Sequence, residues 1–326
     1  MLVLDARSIR RLFSMEEAID SNREAFVIQS QGGADVPVRI SFNLTGTDVT
    51  SFMPAFIEGF PQAGVKIVST FPGNTAKGIP AVSATLLLTD PVTGEVSVLM
   101  DGTELTRLRT GAVSGLATKL FANENVEAGA LFGTGGQAHS QLEAMLTARH
   151  FKEIRVFDLD PSRVEAFISR TCDISEKFDV SLVKADSSDA AVDGADVITT
   201  VTTSANPVFD GRRVKEGAHI NAVGGFLPHK RELDEYIVNR ADRIFIDNME
   251  AVMAEAGEFL IPMAEGRFSR ESITGEIGDV LLGKTRGRTS PDEITLMKTV
   301  GFATLDVVIG YKIFKKALAE GVGITI

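Results

Sequence analysis

The stretch Ala130-Leu-Phe-Gly-Thr-Gly-Gly-Gln-Ala-His-Ser140 decides how this chain is read. Ala130, Leu131 and Phe132 close an apolar run that reads as a buried strand. Gly133, Gly135 and Gly136 follow as a glycine-rich turn, and a helix is expected from Gln137. In a Rossmann unit this junction holds the pyrophosphate of a dinucleotide. Glycines let the backbone approach the phosphates, and the helix N-terminus offers free N–H groups and partial positive charge. Three glycines alone are a weak signal, so the flanking elements decide it.

Downstream of the loop, strand and helix alternate. Strands are expected at 129–132, 153–157, 180–183, 197–202, 219–223 and 243–246. This rhythm implies a parallel, doubly wound sheet. The second strand ends at Val156-Phe157-Asp158. A carboxylate there accepts hydrogen bonds from the adenosine ribose and repels a 2′-phosphate. Asp160 adds to that repulsion, while Arg155 and Arg163 oppose it. The balance favours NAD(H) over NADP(H). Thr202 and the turn Val223-Gly224-Gly225 end their strands at the same edge and are expected to line the nicotinamide. The segment 290–320 opens Ser-Pro-Asp-Glu, with an N-cap and a proline at the first helical position. It reads as one long helix.

Upstream the period differs. Ser14 and Glu17 form a capping box for a helix over 14–31. Short β-rich runs follow at 36–44, 49–56, 64–70, 82–89 and 95–100, with a turn at 90–94. Such spacing suits an antiparallel or mixed sheet. A helix over 103–121 comes next. The expected fold class is therefore α/β: a Rossmann doubly wound parallel sheet domain plus an α+β domain built from both chain ends. The boundaries expected are 1–122 with 303–326 for the α+β domain, and 123–302 for the Rossmann domain.

Composition narrows the partners. The chain has 326 residues, 44% of them hydrophobic, enough to bury sizeable cores. Its net charge of −11 argues against nucleic acid, so any anionic ligand must meet a local cationic pocket. The single Cys172 leaves no internal disulfide and no cysteine metal cage. The histidines, His139, His150, His219 and His229, show no metal-ligand spacing, and no metal is expected. The first residues lack the apolar region of a signal peptide, and no run reaches the roughly 18 apolar residues of a spanning helix. A cytoplasmic location and no membrane association are expected.

In so acidic a chain, cations inside apolar segments stand out. Arg39 lies in Val-Pro-Val-Arg-Ile-Ser-Phe, Lys66 in Ala-Gly-Val-Lys-Ile-Val-Ser, and Arg109 in Leu-Thr-Arg-Leu-Arg-Thr-Gly. Taken singly, each reads as an edge charge or a salt bridge. Together they favour a pocket for a small carboxylate. Arg grips a carboxylate with two parallel bonds, each charge-assisted bond worth about 1.5–3 kcal/mol. Lys binds an oxygen, or passes a proton if burial and neighbouring cations lower its pKa.

These segments also carry a resemblance. Val-Pro-Val-Arg39, Met53-Pro-Ala, Gly-Val-Lys66-Ile-Val-Ser, Phe71-Pro-Gly-Asn, Leu-Arg109-Thr-Gly-Ala, the glycine loop, Asn221-Ala-Val-Gly-Gly, Arg231-Glu-Leu-Asp and Met297-Lys-Thr-Val-Gly run in order through the chain. They resemble the ornithine cyclodeaminase/mu-crystallin family over nearly its whole length. The resemblance implies a homodimer whose first domain supplies the dimer sheet and the substrate residues. It implies that Arg39, Lys66 and Arg109 meet the substrate carboxylate, with Lys66 and Arg109 at the reacting centre, and that Val300 lies near the substrate. Gly133, Gly135, Gly136, Gln137, Asp158, Thr202, Val223, Lys230 and Thr299 match cofactor positions. One departure stands out. Cyclodeaminases of the family follow the glycines matching Gly224-Gly225 with an aspartate; here the residue is Phe226. A phenyl ring cannot hold an ammonium or accept a proton.

The expectation is an NAD(H)-dependent reductase of an α-imino acid, most naturally a cyclic ketimine carboxylate such as Δ1-pyrroline-2-carboxylate, giving L-proline. The alternatives are a linear amino-acid or imino-acid dehydrogenase of the alanine or imino-dicarboxylate type, an ornithine cyclodeaminase, which Phe226 disfavours, and a non-enzymatic cofactor-dependent binder.

Overall fold

The computed structural model describes residues 1–326, apart from the side chain of Thr75. The chain divides into two compact units, Met1–Arg109 with Phe302–Ile326, and Thr110–Gly301. The division falls inside the helix Gly102–Phe121, not after it at 122. The helix serves both units. Leu105 sits beside Gly310 of the first, and Phe121 stacks on Phe245 of the second with ring centroids 3.8 Å apart.

The first unit is built on an eight-stranded mixed sheet. Its order is Ile324–Thr325, Leu2–Leu4, Val96–Asp101, Val82–Thr89, Ala63–Thr70, Val49–Ile57 and Ala34–Asp35, with Ile40–Asn43 also pairing along Val49–Ile57. All neighbours are antiparallel except Leu2–Leu4 and Val96–Asp101, which run parallel. Ala63–Thr70 is central, and its register sets Lys66 opposite Met53 on one side and Leu86 on the other. Both partners are buried, as are Leu88 and Ala55. The helix Ala303–Glu320 packs on these strands and on the helix Met15–Ser30, whose capping box from Ser14 and Glu17 is formed. Its buried Leu305, Val308, Ile309, Ile313 and Ala317 fall at helical spacing. Each large apolar side chain so buried contributes about 1.5–3 kcal/mol before entropy is counted.

The second unit holds an eight-stranded, wholly parallel sheet. Its order is Ser181–Lys184, Glu153–Phe157, Ala128–Phe132, Val197–Thr200, His219–Ala222, Thr295–Lys298, Arg243–Ile246 and Gly275–Glu276. Parallel pairing brings the C-terminal ends of all these strands to one edge, where ligands of open α/β sheets bind.

The single long helix expected over 290–320 is corrected. Thr295–Lys298 is a central strand between His219–Ala222 and Arg243–Ile246, and the helix starts only at Ala303. A strand buried on both faces shows no alternation, so its run of apolar residues passes for a helical segment. The cap-like Ser290-Pro-Asp-Glu instead makes a turn, in which Glu293 accepts hydrogen bonds from Thr289. The strands Leu2–Leu4, Gly275–Glu276 and Ile324–Thr325 are too short to show a period of their own. Among the described residues no helix is long and apolar enough to cross a membrane.

Candidate active site

The glycine loop of the second unit is shaped as its sequence implies. Gly133 follows the strand Ala128–Phe132 at φ +97°, a left-handed conformation that favours glycine. A Cβ there would stand 2.8 Å from the carbonyl oxygen of Val201, the continuation of the neighbouring strand. Gly135 faces open space and Gly136 is exposed. The helix Ala138–Ala148 opens behind them with Gln137 as its first, non-capping neighbour. Gln137 Oε1 is buried with no hydrogen-bond partner among the described residues.

Asp158 ends the adjacent strand and turns back to this loop. Its Oδ2 accepts from the Thr134 backbone N–H at 3.0 Å and from the Thr134 hydroxyl at 2.7 Å. Arg170 in turn donates to the Thr134 carbonyl at 2.7 Å. Arg155, one of the two cations set against Asp158 on sequence, points elsewhere: it pairs with Glu153 and donates to the carbonyls of Ala190 and Asp193. The loop thus has a glycine where a Cβ would clash, an unpartnered amide oxygen and a fixed carboxylate. These features fit a dinucleotide.

Three buried carboxylates, Glu232, Glu258 and Asp247, organise the rest of the edge. Glu232 accepts from Thr200 Oγ1 at 2.8 Å, from the Thr202 N–H at 2.5 Å and from the Gly224 N–H at 2.6 Å. It ties together the ends of the strands Val197–Thr200 and His219–Ala222, so Thr202 and Val223 hold fixed places. Burial pushes its carboxyl up; Lys298 opposes the rise and Glu258 adds to it. Glu258 accepts from the Glu232 N–H at 3.0 Å and lies 3.2 Å from Lys298 Nζ. The twin glycines follow from this crowding. A Cβ on Gly224 would stand 2.2 Å from the Thr202 oxygen, and one on Gly225 would stand 2.3 Å from Glu258 Oε1. Phe226, next along, is 40% exposed. Lys230 is half-buried, with its carbonyl against Gly257. Asp247 plays the same part at the next strand end. Its Oδ2 accepts from Thr299 Oγ1 at 2.6 Å and from the N–H groups of Val300 at 2.8 Å and Gly301 at 2.6 Å.

In the first unit Lys66 and Arg109 come together, and the Arg39 charge acts on Lys66. Lys66 is 1% exposed, Arg109 is 6% exposed, and both pair with Asp306, which is fully buried in the first turn of Ala303–Glu320. Lys66 Nζ lies 2.6 Å from Asp306 Oδ2, and Arg109 Nε lies 3.1 Å from Asp306 Oδ1. Burial, the Arg109 charge and, to a smaller degree, the Arg39 charge lower the Lys66 ammonium to a pKa of about 7, against the pull of Asp306. Such a lysine trades a proton at neutral pH. Val300 belongs to the second unit.

Sequence reasoning missed Asp306, Glu232, Glu258, Lys298 and Asp247. The signal for Asp306 was available. It is an acid inside the apolar run Ala-Thr-Leu-Asp-Val-Val-Ile, the mirror of the reasoning that singled out Lys66. Among the described residues no group of three or more His, Cys, Asp or Glu side chains is arranged to hold a metal ion.

Comparison with known proteins agrees with this fold. The pattern of the ornithine cyclodeaminase/mu-crystallin family matches residues 1–321. A Delta(1)-pyrroline-2-carboxylate reductase of Bacillus cereus is 33% identical over 324 residues, covering 99% of this chain and 98% of its own. The solved Delta(1)-pyrroline-2-carboxylate reductase of Thermococcus litoralis, in complex with NADH and L-proline, is 35% identical with a TM-score of 0.95 and 100% coverage of both chains. An archaeal alanine dehydrogenase, solved as a dimer with bound NAD, is 33% identical with a TM-score of 0.92, covering 100% of this chain and 98% of its own.

Proposed function

The chain belongs to the ornithine cyclodeaminase/mu-crystallin family, and we propose that within it the protein is an NAD(H)-dependent reductase of a cyclic ketimine carboxylate, Δ1-pyrroline-2-carboxylate being the foremost candidate and L-proline its product. The observation that carries this reading is the buried Lys66–Asp306–Arg109 set with Arg39 acting on it. A binder of apolar ligands has no use for a buried carboxylate paired with two cations and a third cation acting on one of them. The 33–35% identity to reductases of this substrate supports it over the full chain.

The Gly133–Gly136 turn, Gln137, Asp158, Thr202, Val223, Lys230 and Thr299 hold the dinucleotide. Bound NADH supplies the hydride for the C=N carbon. Asp158 accepts from the ribose and disfavours a 2′-phosphate, which supports NAD(H) over NADP(H). The known NAD(H)-bound relatives agree with the use of this cofactor. Arg39 and Arg109 take the substrate carboxylate. Lys66 delivers its proton to the imine nitrogen, because a protonated C=N accepts hydride far more readily. A titration near neutrality suits it to do so and to take the proton back in the reverse direction.

Cyclodeamination of ornithine is disfavoured. It needs a carboxylate to handle the distal amine, and Phe226 stands at that position while Glu232 and Glu258 are committed to backbone N–H groups. A linear α-imino acid is the second reading, favoured by the match to alanine dehydrogenase. We also propose a homodimer in the cytoplasm. The exposed Val38, Ile40, Phe42, Leu44 and Phe56 on the first unit's sheet form an apolar surface for a second copy, and Cys172 is a free, exposed thiol suited to a reducing compartment.

The test is NADH oxidation against Δ1-pyrroline-2-carboxylate, Δ1-piperideine-2-carboxylate, pyruvate with ammonia, and iminosuccinate, with ornithine and NAD run alongside. Fastest turnover of a cyclic ketimine is expected. Release of ammonia and formation of proline from ornithine at a comparable rate would overturn the assignment.

A further inference from the structure

We propose that Asp306 is the positioning residue of the reducing site, holding the Lys66 amino group and the Arg109 guanidinium on its two oxygens. The inference rests on the reductase reading above.

The geometry is specific. Asp306 is fully buried, and each of its carboxylate oxygens is given to a different cation, Oδ2 to Lys66 and Oδ1 to Arg109. The three residues come from three separate elements: the strand Ala63–Thr70, the helix Gly102–Phe121 and the helix Ala303–Glu320. Their side chains are therefore located by one another across the fold and not by their neighbours in sequence. A lysine stem has four rotatable bonds, and a fixed acceptor at 2.6 Å removes most of that freedom at its tip.

The leading charge effects on Lys66 come from Arg109, Asp306 and Arg39. Arg109 approaches from the helix Gly102–Phe121 and Arg39 from the segment before Ile40–Asn43; both favour the neutral amine. On the flanking strands its register partners, Met53 and Leu86, carry no charge. Asp306 is the carboxylate that favours the ammonium. Without it, burial beside two guanidinium groups would leave Lys66 as an amine at neutral pH, unable to protonate the substrate nitrogen. In the forward reaction the proton passes from Nζ to the imine nitrogen, the N–H bond of the ammonium breaks as that of the product forms, and the resulting amine regains a proton from solvent. Asp306 acts through Lys66 and Arg109 and is not itself a party to the proton transfer.

Asp306→Asn and Asp306→Glu separate this role from a structural one. kcat/KM for the NADH-dependent reduction of Δ1-pyrroline-2-carboxylate is measured against pH for each variant and the wild type, and NADH fluorescence titration reports whether the variant is folded. In Asp306→Asn the alkaline limb is expected to move to lower pH by about one unit or more, with much of the lost rate recovered in acid and NADH affinity unchanged. Asp306→Glu is expected to keep the limb of the wild type at a reduced rate. An Asp306→Asn profile lowered evenly, with its limb in place, overturns the proposal. So does loss of NADH binding in both variants, which would make Asp306 a residue of the fold. A wild type that reduces none of the imines overturns the reductase reading and this inference with it. A wild type that reduces them, beside an unmoved Asp306→Asn limb, overturns this inference alone.

Discussion

Asp158 is bonded to Thr134 twice, through the backbone N–H and through the hydroxyl, so the acid at the end of one strand is fixed to the glycine loop at the end of the next. The carboxylate proposed to discriminate the ribose is therefore held by the same turn proposed to meet the phosphates. Replacing Asp158 with Ser removes the charge that repels a 2′-phosphate. The ratio of kcat/KM with NADPH to that with NADH is expected to rise by about tenfold or more, roughly 1.4 kcal/mol of lost discrimination. Steady-state kinetics with both cofactors checks this, and an unchanged ratio would remove Asp158 from the selectivity account.

The two directions of the reaction should respond oppositely to pH. On the proposed mechanism reduction needs Lys66 as the ammonium, so its rate is expected to fall as pH rises through about 7; oxidation of L-proline with NAD then needs the amine and is expected to rise over the same interval. Lys66→Met should lower kcat in both directions by about 10²–10⁴-fold while NADH still binds. Parallel limbs in the two directions would place the titration on another group.

Arg109 is nine-tenths buried and oriented by Asp306 through Nε. Arg109→Lys keeps the charge and loses the planar fork. KM for the ketimine carboxylate is expected to rise by about 10–100-fold, the value of one or two charge-assisted bonds. The wild type should prefer the carboxylate strongly over the corresponding carboxamide, and the variant should lose most of that preference. Equal preference in both proteins would take Arg109 away from the carboxylate.

The turn after the strand His219–Ala222 depends on Glu232. Glu232→Gln sets an amide NH2 against the N–H of either Thr202 or Gly224, since the carboxylate accepts from both. A loss of about 1–3 kcal/mol in urea unfolding is expected, together with weaker NADH binding. Gly224→Ala should act in the same direction, because its Cβ would stand 2.6 Å from Glu232 Oε1 and closer still to the Thr202 oxygen. Variants as stable as the wild type would show that the turn relaxes around either change.

The elements that were legible from the sequence share one property: their information is contiguous. The capping box Ser14/Glu17, the turn at 90–94 and the junction from Phe132 to Ala138 each lie within a few residues. The strand-ending position of Asp158 could be counted from the glycine loop. The central strand Thr295–Lys298 was not legible because burial on both faces erases the period that separates strand from helix. The division within Gly102–Phe121 was not legible because a continuous helix gives no local sign of which end packs where.

The sequence by itself determined a parallel sheet with a dinucleotide-type loop and acid, a separate mixed sheet, and three cations too apolar in their surroundings to be ordinary surface charges. Local chemistry suffices for these, since glycine, periodicity and charge act within a turn or a strand. Only the tertiary structure decided how Lys66 and Arg109 are paired. Lys66 and Asp306 lie 240 residues apart. Their pairing exists because the last helix closes over the strand Ala63–Thr70, and the proton affinity of a buried lysine depends on which charges the fold brings to it.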